Sequence, residues 1–205
     1  MKKSILIEGK KYTFSDYFEL NNPTEEIVEE LGYSFSHEVL SLPRSDDYEH
    51  NDIRKLQDTF YTILPRITTN SEIAKRDFLI APILVEIARN TESKINVEYA
   101  IEIDSRLSGS LDYLIRLKQE LIVIEAKKGD LDKGFNQLSA ELIALDRYEE
   151  SNESDRLYGA VTIGDVWRFG VLERKQQHII KDINSFTIPG DLERVFSILI
   201  GILMA

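Results

Sequence analysis

The stretch that decides the fold is "ELIVIEAKKGDLDKGFNQL", residues 120–138. An unbroken apolar run, Leu121 to Ile124, leads straight into Glu125, Ala126, Lys127 and Lys128. This reads as a strand with an apolar lead-in that ends on a carboxylate and an amine two residues apart. Gly129 and Asp130 then open a helical pattern, "KGFNQLSAELIALDRYEE". In an extended strand residues i and i+2 share a face, so Leu121, Val123, Glu125 and Lys127 lie on one side and Ile122, Ile124 and Ala126 on the other. A carboxylate and an amine at the end of such a strand cost several kcal/mol of desolvation unless something offsets it. The offset is either a salt bridge at a sheet edge or a metal site.

Working outward, two strands precede this stretch, "KINVEYAIEI" and "SLDYLIRL". Before them "NSEIAKRDFLIAPILVEIARN" predicts a largely buried helix, capped by Asn70 or Ser71 and kinked by Pro82. After the central helix come "LYGAVTIG", "VWRFGVLER" and "HIIKDI", and the chain closes with a helix, "DLERVFSILIGILMA", capped by Asp191. From residue 70 the order is α-β-β-β-α-β-β with a closing helix. Strands before and after a crossover helix imply a mixed central sheet flanked by helices, an α/β (α+β) fold. Residues 46–205 form the main domain, with its core at about 70–170. Residues 1–45 read as accessory: two strands in "SILIEGKKYTFSDYFEL", a helix in "NPTEEIVEELGY" and an extended segment after it.

Asp112 lies on the strand before the lead-in. If a two-residue turn at Gln119-Glu120 joins the two strands, residue 112 pairs with 127 and 114 with 125. Asp112, Glu125 and Lys127 then share a face. A one-residue shift moves Asp112 to the other side, so the site requires paired positions whose numbers sum to an odd value. Two carboxylates and a lysine on adjacent strands suit phosphodiester hydrolysis. The oxygens of Asp112 and Glu125, with the Ala126 carbonyl, match the preference of Mg²⁺ (or Mn²⁺) for hard ligands. Lys127 orients the attacking water or stabilises developing charge.

At this point the chain resembles the PD-(D/E)XK nuclease superfamily, whose signature is an Asp on one strand and acid-x-Lys on the next. Asp112, Glu125, Ala126 and Lys127 carry the resemblance, with Gly109 ahead of the acid and Leu111 in place of the signature proline. It implies a restriction endonuclease-like core, α-β-β-β-α-β, and a Mg²⁺-dependent nuclease acting on nucleic acid, DNA by preference. "SEIAKRDFLIAPIL" resembles the opening helix of type I restriction subunits, where Glu72 takes the place of the family's helix glutamate; Glu86 is the weaker candidate. Gln137 matches a glutamine found after the lysine in some relatives. The tyrosine often four residues later is Glu141 here, which sets the chain apart from the exonuclease branch.

Each of these residues also has a plainer reading. Glu125 and Lys127 can be an exposed strand-end ion pair, worth little. Asp112 can cap a turn after "SGS", Glu72 can be a first-turn carboxylate favoured by the helix dipole, and Gln137 a surface amide. Trp167 reads as core and Arg168 as a residue able to touch phosphate. His37, His50 and His178 show no ligand spacing.

Composition bounds the partners. The 205 residues carry a net charge of −11 and no cysteine, which excludes thiol catalysis and zinc–thiolate sites. Residues 1–50 hold 11 acids and 5 bases, over half the net negative charge, so a local basic groove is compatible with the remainder. The acidic balance favours either a nuclease working with a basic protein partner or the alternative class, a catalytically silent nuclease-fold module for binding or assembly. The stripe Val195, Phe196, Leu199, Ile202 and Leu203 is core or the surface of a homodimer. A third reading is a metal-dependent enzyme acting on something other than nucleic acid. The opening "MKKSILIEGKKYTF" has too short an apolar run for a signal peptide, and "ILIGILMA" is too short to span a bilayer. A cytoplasmic protein without membrane contact is expected.

Overall fold

The computed structural model describes residues 4–117, 120–125 (backbone only), 129–148 and 154–205. A mixed sheet runs through the molecule with helices on both faces. Its strands, in chain order, are β1 (Ser34–Glu38), β2 (Lys94–Glu102), β3 (Ser108–Arg116), β4 (Glu120–Glu125), β5 (Arg156–Thr162), β6 (Val166–Glu173), β7 (His178–Asp182) and β8 (Phe186–Thr187). In space the order is β1-β7-β6-β5-β4-β3-β2, with β8 beside β6. The pairs β4–β5 and β1–β7 are parallel, and the other neighbours antiparallel.

One face is covered by α1 (Phe14–Glu19), α2 (Thr24–Glu30) and α6 (Leu131–Tyr148), the other by α3 (His50–Ile63), α5 (Ala81–Asn90) and α7 (Leu192–Met204). The N-terminal segment therefore shares the main core: Phe14, Tyr17 and Ile27 pack in one cluster with α6, and β1 forms an edge of the same sheet. Where the sequence predicts strand-turn-strand for residues 4–20, the turn at Gly9 is present (φ 79°) but Phe14–Glu19 is helical. The local cap explains it. Asp16 accepts from the Thr13 N–H and hydroxyl, both at 2.7 Å, closing the first turn before an edge pairing can form.

Pro82 does interrupt its helix, in a specific way. The short α4 (Glu72–Lys75) runs into a π-helical turn, Arg76–Ile80, and only then into α5. Pro82 lacks an N–H and its ring crowds the carbonyl four residues back, so the preceding turn widens and the Ala81 N–H bonds to the Arg76 carbonyl.

α6 carries the fold's largest departure from amphipathic expectation: Gly134–Leu145 are buried without a break. It lies between the sheet and α1 with α2. Two strand glycines allow its close approach. A Cβ on Gly159 would stand 2.7 Å from Leu138 Cδ1, and one on Gly170 would stand 2.5 Å from Phe135 Cζ. Among the described residues no helix is long and apolar enough to cross a membrane.

Candidate active site

The β3–β4 register differs from the expected one. Arg116 pairs with Glu120 and Tyr113 with Val123, so residues 117–119 make the connection and each pair sums to an even number. In a regular sheet this register would set Asp112 opposite Ile124, away from the face of Glu125. β3 is not regular there. Leu111 packs in the α6-side cluster, as does Leu114, whereas Tyr113 packs on the other side. Residues two apart thus face opposite ways. On β2 the level between Val97↔Tyr113 and Tyr99↔Leu111 is occupied by Glu98, with φ 53°. A non-glycine residue in that region is a local strain that reorients the strand, and such distortions concentrate at functional sites. Parity counting stops at Asp112.

Asp112 is half-buried, its side chain 18% exposed. From the helix side, Arg76, the first residue of the π turn, brings Nη1 to 4.0 Å from Asp112 Oδ1 and to 3.9 Å from Glu98 Oε1. Its Nε donates to the Tyr113 hydroxyl at 3.2 Å, and its guanidinium stands 5.1 Å from that ring's centroid. α6 covers the opposite face. Gln137 Nε2 donates to Glu141 Oε1 at 2.9 Å, and both side chains are buried. Glu141 is fully buried, and its Oε2 has no hydrogen-bond partner. Burial pushes its carboxyl well above the usual carboxylate range; the Gln137 amide counters this, and the charge of Asp112 adds to it.

Glu125 is placed by its backbone: it ends β4 in register with Thr162, the last residue of β5. Two residues on, Gly164 (φ 95°) sits under Lys75 and Leu79, where a Cβ would stand 2.9 Å from Leu79 Cδ1. The helix containing Glu72 and Arg76 therefore crosses the strand ends where β4 finishes. Glu72 is half-buried at the start of α4, with Ser71 capping the turn by accepting from the Ala74 N–H at 3.1 Å. Glu86 lies on α5 beyond the π turn, engaged by Arg89 at 2.9 Å, with its Oε2 buried and unbonded. Ala126 and Lys127 lie outside the described residues.

The structure thus brings Arg76 to Asp112 near the end of β4 and, separately, pairs Gln137 with Glu141 along α6. Arg76 and Glu141 are absent from the expected site. Glu141 is visible in the sequence only as a departure from the family's tyrosine, and Arg76 as one more charge on a helix. Among the described residues no cluster of three or more His, Asp or Glu is arranged to hold a metal ion. The Asp112 carboxylate, close to the end of β4, is a hard oxygen donor of the kind a cation of the Mg²⁺ class takes.

A second charged cluster flanks the N-terminus of α6. Lys181, with a side chain 5% exposed, pairs with Asp132 and stands 4.9 Å from the centre of the Phe135 ring. Arg168 Nη1 reaches the same carboxylate at 3.2 Å. Trp167 is core as expected, its Nε1 donating to the Gly164 carbonyl at 3.2 Å. Compared with protein-family models and with characterised proteins, the chain matches none, so its chemistry is argued from this geometry.

Proposed function

We propose that the chain is a Mg²⁺- or Mn²⁺-dependent nuclease with a restriction endonuclease-like core. The observation that carries the reading is the convergence of Asp112 on β3, beside the strained Glu98 of β2, the end of β4 at Glu125 and the helix of Glu72 and Arg76 at one end of a mixed sheet. The order α-β-β-β-α-β over residues 72–162 supports it. In this reading Asp112, Glu125 and the Ala126 carbonyl hold the cation. When bound, it polarises the phosphate and makes a water nucleophilic near neutral pH. Lys127 orients that water and stabilises the charge developing on phosphate oxygen. Glu72 adds a carboxylate from the crossing helix, and Gln137 holds its partner on α6 in place. The nucleic acid, DNA by preference, is bound through its phosphates, so affinity on this acidic protein falls steeply with salt.

The test is nicking of plasmid and of single-stranded oligonucleotides with Mg²⁺, Mn²⁺ or chelator. Cleavage is expected from the wild type, none from Asp112→Ala or Glu125→Ala, and none from Lys127→Ala, which keeps its cation affinity. Cleavage that persists in chelator or survives Lys127→Ala refutes the assignment. The net charge of −11 favours a second reading, a silent nuclease-fold module that binds a basic protein partner. Metal-independent binding without cleavage selects it.

A further inference from the structure

We propose that the cavity at the start of α6 is an oxoanion pocket for a phosphate group, with Asp132 as the internal occupant that the phosphate displaces from Lys181 and Arg168. The pocket is separate from Asp112 and does not depend on the cation reading.

Its volume is about 440 Å³, and its titratable lining is Asp130, Asp132 and Lys133 at the helix start, His37 of β1 and Lys181 of β7. The helix end itself offers little, because Asp130 Oδ1 already accepts from the Asp132 and Lys133 N–H groups at 3.1 and 3.0 Å. The side-chain cations make the site. Lys181 is 5% exposed, and among the described residues its ammonium has one hydrogen-bond acceptor, Asp132 Oδ1. An ammonium carries three donors, so most of its capacity is unused by protein. Arg168 Nη1 reaches the same oxygen at 3.2 Å, while its Nε is buried without a hydrogen-bond partner among the described residues. At the rim, Lys133 Nζ donates to Asn21 Oδ1 at 2.8 Å, an uncharged partner. Lys133, Arg168 and Lys181 therefore gather around Asp130 and Asp132, and Asp130 is already committed to the helix amides.

The exposures decide which partner can leave. A charge is costly to strand where water has been removed from it, so Lys181 needs an anion beside it in every state. Asp132 has no such need: its side chain is 76% exposed and turns into solvent at little cost. Exchanging Asp132 for another anion keeps Lys181 paired and returns a carboxylate to water. A phosphate group brings several strong acceptor oxygens where Asp132 supplies one, enough to engage both the unused ammonium protons and the guanidinium. The position suits a phosphate on a nucleic-acid strand as well as a free one. Arg168 pairs with Val161 of β5, and Val161 with Ile124, so the pocket's arginine lies level with the end of β4.

The experiment titrates inorganic phosphate into the full-length chain by calorimetry at fixed pH and ionic strength, with chloride making up the balance. Wild type, Asp132→Asn, Lys181→Met and Arg168→Met are compared, and thermal unfolding in phosphate and in chloride runs alongside. Asp132→Asn, freed of the internal competitor, is expected to bind phosphate at least fivefold more tightly than wild type and to gain more melting temperature from it. Lys181→Met and Arg168→Met are each expected to lose at least tenfold in affinity, and the second serves if the first does not fold. If phosphate and chloride act alike on all four proteins, or if Asp132→Asn binds phosphate no better than wild type, Asp132 is a structural ion-pair partner and the inference is overturned. Competition by a single-stranded oligonucleotide, with and without a terminal phosphate, then identifies the source. Displacement of phosphate by the oligonucleotide assigns the pocket to a nucleic-acid strand, and phosphate binding that it does not disturb assigns the pocket to the free anion.

Discussion

Replacing Arg76 with Met should tighten cation binding while loosening the fold. Arg76 Nη1 stands 4.0 Å from Asp112 Oδ1, with the two side chains 19% and 18% exposed. Unit charges about 4 Å apart interact by roughly 1 kcal/mol in water and about 4 kcal/mol at an effective dielectric constant of 20. Partial exposure and salt place the pair toward the lower limit, about 1–2 kcal/mol. A cation seeking Asp112 works against that neutralisation. Removing the guanidinium should therefore raise Mn²⁺ affinity about 5- to 30-fold, at about 1.4 kcal/mol per factor of ten. The Met side chain keeps the apolar stem but loses the hydrogen bond to the Tyr113 hydroxyl and the stacking over its ring. Together these should lower stability by about 1–2 kcal/mol. Calorimetric titration of Mn²⁺ at 0.15 M salt, with urea unfolding of the same proteins, reads both effects. Arg76→Lys keeps the charge and should stay near wild type in affinity. Unchanged or weaker Mn²⁺ binding by Arg76→Met would refute the reasoning, since Asp112 would then not be the group that the cation and Arg76 compete for.

The Asp132–Lys181 pair should respond asymmetrically. Asp132→Ala leaves a lysine only 5% exposed beside Arg168 and should cost about 2–3 kcal/mol, whereas Lys181→Met releases a carboxylate already 76% exposed and should cost less than about 1 kcal/mol in urea unfolding. Equal losses would mean that Lys181 acts through packing on Phe135. The hydrogen bond from Lys181 holds the Asp132 carboxyl below its usual value, so its contribution is present above about pH 4 and is lost as pH falls through the lowered folded value. The gap between wild type and Asp132→Ala should accordingly close in acid. Gly170→Ala places a methyl group 2.5 Å from Phe135 Cζ and 3.2 Å from the Ile180 carbonyl oxygen, and should cost about 1–3 kcal/mol as α6 is pushed off the sheet. A melting temperature within a degree of wild type would show that Phe135 has room to turn away.

The sequence by itself determined the long elements from Glu72 onward, though not the two-residue β8, because each carries its own period. The apolar run 121–124 reads as a strand, and "DLERVFSILIGILMA" as a helix, without reference to anything distant. The break at Pro82 was equally local, since a missing N–H is a property of one residue. The turn at Gly9 was visible too, but Phe14–Glu19 was misread, because a single cap from Asp16 outweighed an alternating pattern. Tertiary structure alone decided the rest. The β3–β4 register departs from the two-residue turn, and at Asp112 the alternation itself fails, beside the strained Glu98 of the neighbouring strand. No window of sequence holds that information, because facing is a property of two strands together. Glu141 makes the same point: on an isolated helix it is an ordinary solvent-facing acid. It becomes a dry, half-bonded carboxyl only because α1, α2 and the sheet close around α6 from segments distant in sequence, with Gly159 and Gly170 letting the helix down onto the strands.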